Sequence, residues 1–170
     1  VLMVCMGNIC RSPTAEGVLR ARLDAAGLGD LVEVDSAGTT DYHSGEPPDP
    51  RAIRHAERRG IDLSPLRARR VVADDFHRFD FILAMDDDNL AGLAKLRPQD
   101  AVAEPQLLLD YALDPARPRA DGRVPDPYYG GDAGFEHVLD LIEHACDGLL
   151  PALRRRLDPA LLAGGDKVGE

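Results

Sequence analysis

Residues 1 to 23, VLMVCMGNICRSPTAEGVLRARL, set an apolar run, a Gly-Asn pair and a Ser-Pro helix start end to end. A strand that feeds a helix through so short a turn must pack that helix back on a sheet face, so this stretch predicts a strand–turn–helix unit. The apolar pattern recurs at 32 to 37 (VEVDSA), at 79 to 85 (FDFILAM) and, more weakly, at 101 to 109 (AVAEPQLLL). Helical stretches lie between them. Ala15, Val18, Leu19 and Leu23 keep helix spacing, and DPRAIRHAERRG runs from a proline start to a glycine stop at Gly60. Strands alternating with helices predict an α/β fold with a parallel sheet. Towards the end Phe135, Val138, Leu139, Ile142, Leu149 and Leu153 form one helical stripe, which Gly148 and Pro151 are expected to bend or split.

A chain of 170 residues with 44% hydrophobic content supports one core. We therefore expect a single domain over residues 1–156 and a flexible tail over 157–170, ending in AGGDKVGE. No apolar run approaches the roughly 20 residues of a membrane span, and the opening VLMVC lacks the pattern of a signal peptide, which predicts a cytoplasmic protein with no membrane partner. A formal net charge of -10 argues against a nucleic-acid partner, because such binding rests on Lys and Arg neutralising phosphates. Three cysteines make neither a disulfide framework nor a zinc template. The histidines 43, 55, 77, 137 and 144 show no spacing with carboxylates or cysteines that fits a metal, so they are expected at the surface or in helix packing, with no metal and no cofactor.

Cys5 falls at the carboxyl end of the first strand, where open α/β sheets bind ligands. Gly7 and Asn8 tolerate unusual backbone angles, so residues 6 to 11 can curl with their N–H groups inward as an anion nest. Ser12-Pro13 adds a helix N-terminus, and the planar fork of Arg11 suits two phosphate oxygens. Helix N-termini and arginines also activate thiols, and a thiolate can attack phosphorus to form a phosphocysteine intermediate. The spacing of Cys5 and Arg11 is by itself weak. In a chain this rich in arginine, about three in ten sets of three cysteines would show it by chance. What raises it is the coincidence of strand end, Gly-Asn turn and helix start. A general acid is also needed for the leaving oxygen, and VPDPYYGG offers Asp126 between two stiffening prolines, followed by Tyr128 and Tyr129 as a wall for a flat ring. A plain turn with packed tyrosines fits that stretch equally well.

Taken in order, VCMGNICRSPTAE, VDSAGT, PDPRA, MDDDNL and DPYYG resemble the low-molecular-weight protein tyrosine phosphatases over nearly the whole chain to about residue 155. The resemblance implies a four-stranded parallel sheet flanked by helices and hydrolysis of phosphotyrosine monoesters in proteins. It implies Cys5 as nucleophile, Arg11 as phosphate clamp, Asp126 as general acid then base, and Met6, Gly7, Asn8, Ile9, Cys10, Arg11 and Ser12 as the phosphate loop. Ser12 would hydrogen-bond the thiolate, Asn8 and Ser36 would hold the loop in shape, and Tyr42, Tyr128 and Tyr129 would form the aromatic wall. Cys10 matches a cysteine that can pair reversibly with the nucleophile, and Asp86 matches a structural aspartate. Where many relatives read His-x-Ala-Arg-Gln this chain has LRARR, so Leu66 replaces a histidine that supports the loop asparagine.

Three rivals share features of this pattern. Thioredoxin-coupled arsenate reductases need two further cysteines after the third strand, and residues 75 to 110 contain none, while Cys146 sits on the apolar stripe of the last helix. Phosphoarginine phosphatases resemble GNTCRS, with threonine where this chain has Ile9. A non-catalytic phosphate-binding or redox module would be expected to lack Cys5, Arg11 or Asp126. A bacterial source and a bacterial tyrosine kinase as counterpart complete the expectations.

Overall fold

The computed structural model describes residues 1–112 and 122–158. Its elements run β1 (Leu2–Cys5), α1 (Arg11–Ala25), β2 (Asp35–Gly38), α2 (Pro50–Glu57), α3 (Asp75–Arg78), β3 (Ile82–Ala84), α4 (Asp87–Leu96), β4 (Gln106–Leu107), a 3-10 turn (Leu108–Tyr111) and α5 (Asp132–Leu157). The four strands form one parallel sheet in the order β2-β1-β3-β4. The chain reverses direction across the sheet at β1, so the carboxyl end of that strand opens on the crevice where such sheets take ligands.

Alternation along β1 divides the core. Met3 and Cys5 face α1, α2 and α5, while Leu2 and Val4 face α3 and α4. Both faces are buried, which is why the strand reads as a continuous apolar run. Cys5 pairs with Gly38 of β2, and the N–H groups of Thr39 and Thr40 donate to the carbonyls of Cys5 and Met6, carrying the sheet into the loop.

The expected strands are all present, shorter than the apolar runs. The second starts at Asp35 rather than residue 32, where the Asp35 N–H first meets the Val1 carbonyl. The fourth is reduced to two residues, since Pro105 has no N–H to donate and Leu108 already enters the 3-10 turn. The final helix is neither split nor ended by Gly148 or Pro151. Gly148, Leu149 and Leu153 are buried, so the stripe holds its line on the core, and the proline ring lies on the exposed side. Helix α5 reaches Leu157, and the rest of the expected tail, 159–170, lies outside the described residues. Among the described residues, no helix is long and apolar enough to cross a membrane.

Candidate active site

Between β1 and α1 the chain curls through residues 6 to 10, with Asn8 in the left-handed region at φ 58°. Such a backbone costs roughly 1–2 kcal/mol for most residues and less for asparagine. Asn8 is held by its own side chain. Its Nδ2 donates to Ser12 Oγ at 2.8 Å and to Ser36 Oγ at 3.0 Å, and its Oδ1 accepts from the Arg69 N–H at 3.0 Å. Leu66, standing where the histidine was expected, packs half-buried against the core. Asparagine support therefore survives through the two serines and the main chain of Arg69.

Cys5 Sγ lies 3.0 Å from Ser12 Oγ and accepts from the Asn8 N–H at 3.3 Å. Ser36 Oγ donates to Glu16 at 2.5 Å, and Arg20 reaches the other oxygen of that carboxyl at 2.7 Å. Burial pushes the Glu16 carboxyl up from its ordinary range, against the pull of the Ser36 hydrogen bond and the charge of Arg20. Arg11 is buried, and its Nη1 donates to Asp86 Oδ2 at 2.6 Å and to the Val124 carbonyl at 3.1 Å. Its Nη2 lies 3.7 Å from Asp126 Oδ2. Burial opposes the guanidinium charge, but the Cys5 sulfur, Asp86 and Asp126 together hold its pKa above the ordinary arginine value.

Cys5, Met6, Gly7, Ile9, Cys10, Arg11, Asp126, Tyr42, Tyr128 and Tyr129 all line one cavity of about 280 Å³. Of the sequence-predicted residues, Asn8, Ser12 and Ser36 stand behind this cavity as loop support, and the others are brought together in its lining across three loops. Asp126 is the most exposed of the three central side chains, and its Oδ1 accepts from the Tyr128 N–H at 3.1 Å. Tyr128 and Tyr129 meet edge to face with ring centres 4.9 Å apart. Cys10 is buried, and burial followed by the charge of Asp49 pushes its thiol well up.

One residue assigned to surface or packing belongs here instead. His43 lines the same cavity, its Nδ1 2.8 Å from Glu46, and its ring lies so close to Gly7 that a methyl there would touch it at 3.0 Å. Its place beside Tyr42, after the second strand, was the available signal. His55 does pack between helices, buried and stacked on Phe135. Asp86 caps α4 through the Asn89 N–H while its other oxygen holds Arg11. Cys146 is fully buried in α5, and the arginines at 154 to 156 sit exposed in its last turn. Among the described residues, no group of three or more His, Cys, Asp or Glu side chains is placed to hold a metal ion.

The family model for low molecular weight phosphotyrosine protein phosphatases matches residues 1–158. The chain belongs to this family. The low molecular weight protein-tyrosine-phosphatase of Streptomyces coelicolor is 46% identical to this phosphatase over 159 residues, 93% of this chain and 95% of that one. Among solved structures, a protein tyrosine phosphatase from Entamoeba histolytica with Hepes in its active site superposes with a TM-score of 0.84 at 38% identity, covering 91% of this chain and 96% of that one. A Drosophila arginine phosphatase superposes with a TM-score of 0.80 at 33% identity, covering 90% and 96%.

Proposed function

We propose that this phosphatase hydrolyses phosphotyrosine monoesters in proteins by way of a phosphocysteine on Cys5. The observation that carries the reading is the convergence of Cys5, Arg11 and Asp126 on one cavity walled by tyrosines. The Cys5 thiolate attacks phosphorus, the P–O bond to the tyrosine breaks, and Asp126 gives its proton to the leaving oxygen. Asp126, now a carboxylate, takes a proton from water as that water attacks phosphorus, which frees inorganic phosphate and the Cys5 thiolate. Arg11 and the loop N–H groups stabilise the charge on the equatorial oxygens. Because Nη1 of Arg11 is already held by Asp86 and Val124, the other edge of its fork is the one offered to phosphate. Ser12 stabilises the sulfur as nucleophile and leaving group, with Asn8 and Ser36 keeping the loop in register.

The same reading makes Cys10 a trap for an oxidised nucleophile. Peroxide converts the Cys5 thiolate to a sulfenic acid, and the Cys10 thiol then condenses with it to a disulfide and water. Bacterial cytoplasm and a tyrosine kinase as the opposing enzyme fit these chemistries. A second reading, phosphoarginine hydrolysis, has the likeness to the arginine phosphatase behind it. Ile9, which lines the cavity, favours the flat tyrosine ring.

The test is release of phosphate from phosphotyrosine and phosphoarginine peptides by wild type and Cys5→Ser, with a metal chelator present. Turnover of phosphotyrosine that disappears in Cys5→Ser is the expected outcome. Preference for phosphoarginine would transfer the substrate and keep the nucleophile, whereas turnover surviving in Cys5→Ser would overturn the mechanism.

A further inference from the structure

The Asp126 loop, residues 125 to 131, carries both the acid and the tyrosine wall, yet it has few ties to the rest of the fold. Among the described residues, beside the 3.7 Å approach of Arg11 to Asp126 and the local bond from the Gly134 N–H to the Gly131 carbonyl, the hydrogen bonds that tie this segment to a part of the chain distant in sequence both come from Arg51. Its Nη2 donates to the Tyr128 carbonyl at 2.9 Å and its Nη1 to the Gly130 carbonyl at 3.4 Å. The guanidinium also lies over the Tyr128 ring, 5.6 Å from its centre, and over the Phe135 ring of α5 at 4.8 Å.

The other side of the fork is fixed. Asp49 accepts from Nε at 3.0 Å and from Nη2 at 2.9 Å, a bidentate pair, and also caps α2 by accepting from the Arg51 N–H. The Arg51 hydrogen bonds hold the Asp49 carboxyl below the usual carboxylate range. The Asp49 main chain in turn donates to the Ile9 carbonyl of the phosphate loop at 2.8 Å. A continuous path therefore runs from the loop that holds the nucleophile, through Asp49 and Arg51, to the loop that carries the acid.

We propose that Arg51 is a positioning residue that sets Asp126 over Cys5, acting through the main chain of the acid loop and not on the substrate. The proposal rests on the reading of Asp126 as the general acid. Lysine cannot substitute, because a single ammonium cannot grip the Asp49 carboxylate and both carbonyls in one plane.

The experiment compares Arg51→Ala, Arg51→Lys, Asp126→Ala and the double variant Arg51→Ala/Asp126→Ala on p-nitrophenyl phosphate and on phenyl phosphate. The second ester leaves poorly without a proton. Arg51→Ala is expected to lose about 10- to 100-fold in kcat/KM on phenyl phosphate, as a misplacement of roughly 1 Å costs; this ratio ends at release of the phenol and so leaves out the hydrolysis of the phosphocysteine that both esters share. The variant should lose only a few-fold on p-nitrophenyl phosphate, with inhibition by inorganic phosphate nearly unchanged. Arg51→Lys should share the defect, and it carries the test if the alanine variant does not fold. The double variant should match Asp126→Ala alone, and added guanidinium ion should restore Arg51→Ala but not the double. Equal losses on both esters, or losses that multiply in the double variant, would overturn the proposal. An Arg51→Ala enzyme that behaves as wild type beside a selective defect in Asp126→Ala would overturn it alone. No selective defect in Asp126→Ala would remove the acid assignment, and the positioning role with it.

Discussion

Gly38 is where the sheet comes closest to the phosphate loop, and adding one methyl there tests whether that approach fixes the site. A Cβ at this position would lie 2.6 Å from the Met6 carbonyl oxygen, 3.0 Å from the Thr40 carbonyl oxygen and 3.3 Å from Asn8 Cβ. Two of these neighbours are main chain, which no rotamer change can move aside. An ordinary C···O contact begins near 3.3 Å, so Met6 must retreat by about 0.7 Å. That carbonyl follows Cys5 directly and accepts from both the N–H and the hydroxyl of Thr40, so the displacement enters the loop at its first peptide. Misplacement of roughly 1 Å costs about 100-fold, so Gly38→Ala should lower kcat/KM on p-nitrophenyl phosphate by about 10- to 100-fold. Overpacking of this kind costs about 1–3 kcal/mol. For a chain of this size each kcal/mol lowers Tm by about 2–4 °C. Steady-state kinetics, inhibition by inorganic phosphate and thermal unfolding measured on one preparation read all three. A folded variant with wild-type kcat/KM and wild-type phosphate inhibition would refute the claim that β2 sets the path of the loop. A drop in Tm without a kinetic defect would show that the strain is relieved away from the site, and would refute it equally.

Three further outcomes follow from the site. Asp86 accepts from Arg11 with one oxygen and caps α4 with the other, and an amide has one acceptor, so Asp86→Asn must break one bond. A hydrogen bond to a charged group contributes about 1.5–3 kcal/mol, so phosphate inhibition should weaken by about tenfold or Tm should fall, and the idea fails if neither moves. Glu16 has its folded pKa above the ordinary value of 4.5, so it favours the fold fully below that pH and loses this contribution as pH rises through the folded pKa. The Tm of wild type minus that of Glu16→Gln should accordingly be largest in acid and decline towards neutrality; a difference independent of pH would contradict it. Burial keeps the thiols of Cys10 and Cys146 protonated at neutral pH, so iodoacetate should label Cys5 alone and phosphate should block it. Labelling of Cys10 at a rate equal to Cys5 would refute this.

The parts of the fold that could be read in advance are those whose signal is local. The first strand, the Gly-Asn turn and the helix start after it lie within a few residues of one another; the strand and the turn are where the chain pattern put them, and the helix begins at Arg11, one residue ahead of the Ser12-Pro13 signal. Less legible were the features decided by distant partners. The fourth strand ends where β3 stops pairing with it, at Leu107, and the unbroken course of α5 over Pro151 depends on Leu149 and Leu153 being buried. His43 was missed for the same reason. Its entry into the cavity follows from the loop after β2 being pinned by the carbonyls of Cys5, Met6 and Ala68, none of them near it in sequence. Arg51 was visible only as part of PDPRA, since nothing in that motif indicates that its acceptors lie nearly eighty residues away.

The acid loop is restrained through carbonyl oxygens, those of Tyr128 and Gly130. Every amino acid carries that group, so the restraint fixes the course of the chain while leaving residue identity open. Tyr129, almost fully exposed at the rim, can then be exchanged without removing either hydrogen bond, whereas the Tyr128 ring also lies under the guanidinium. On the proposed reading of Asp126 as the acid, the course of the loop is held separately from the identity of the side chain at its rim. On that reading, Tyr129 is the position at which substitution changes the fit to a substrate protein while the acid keeps its place.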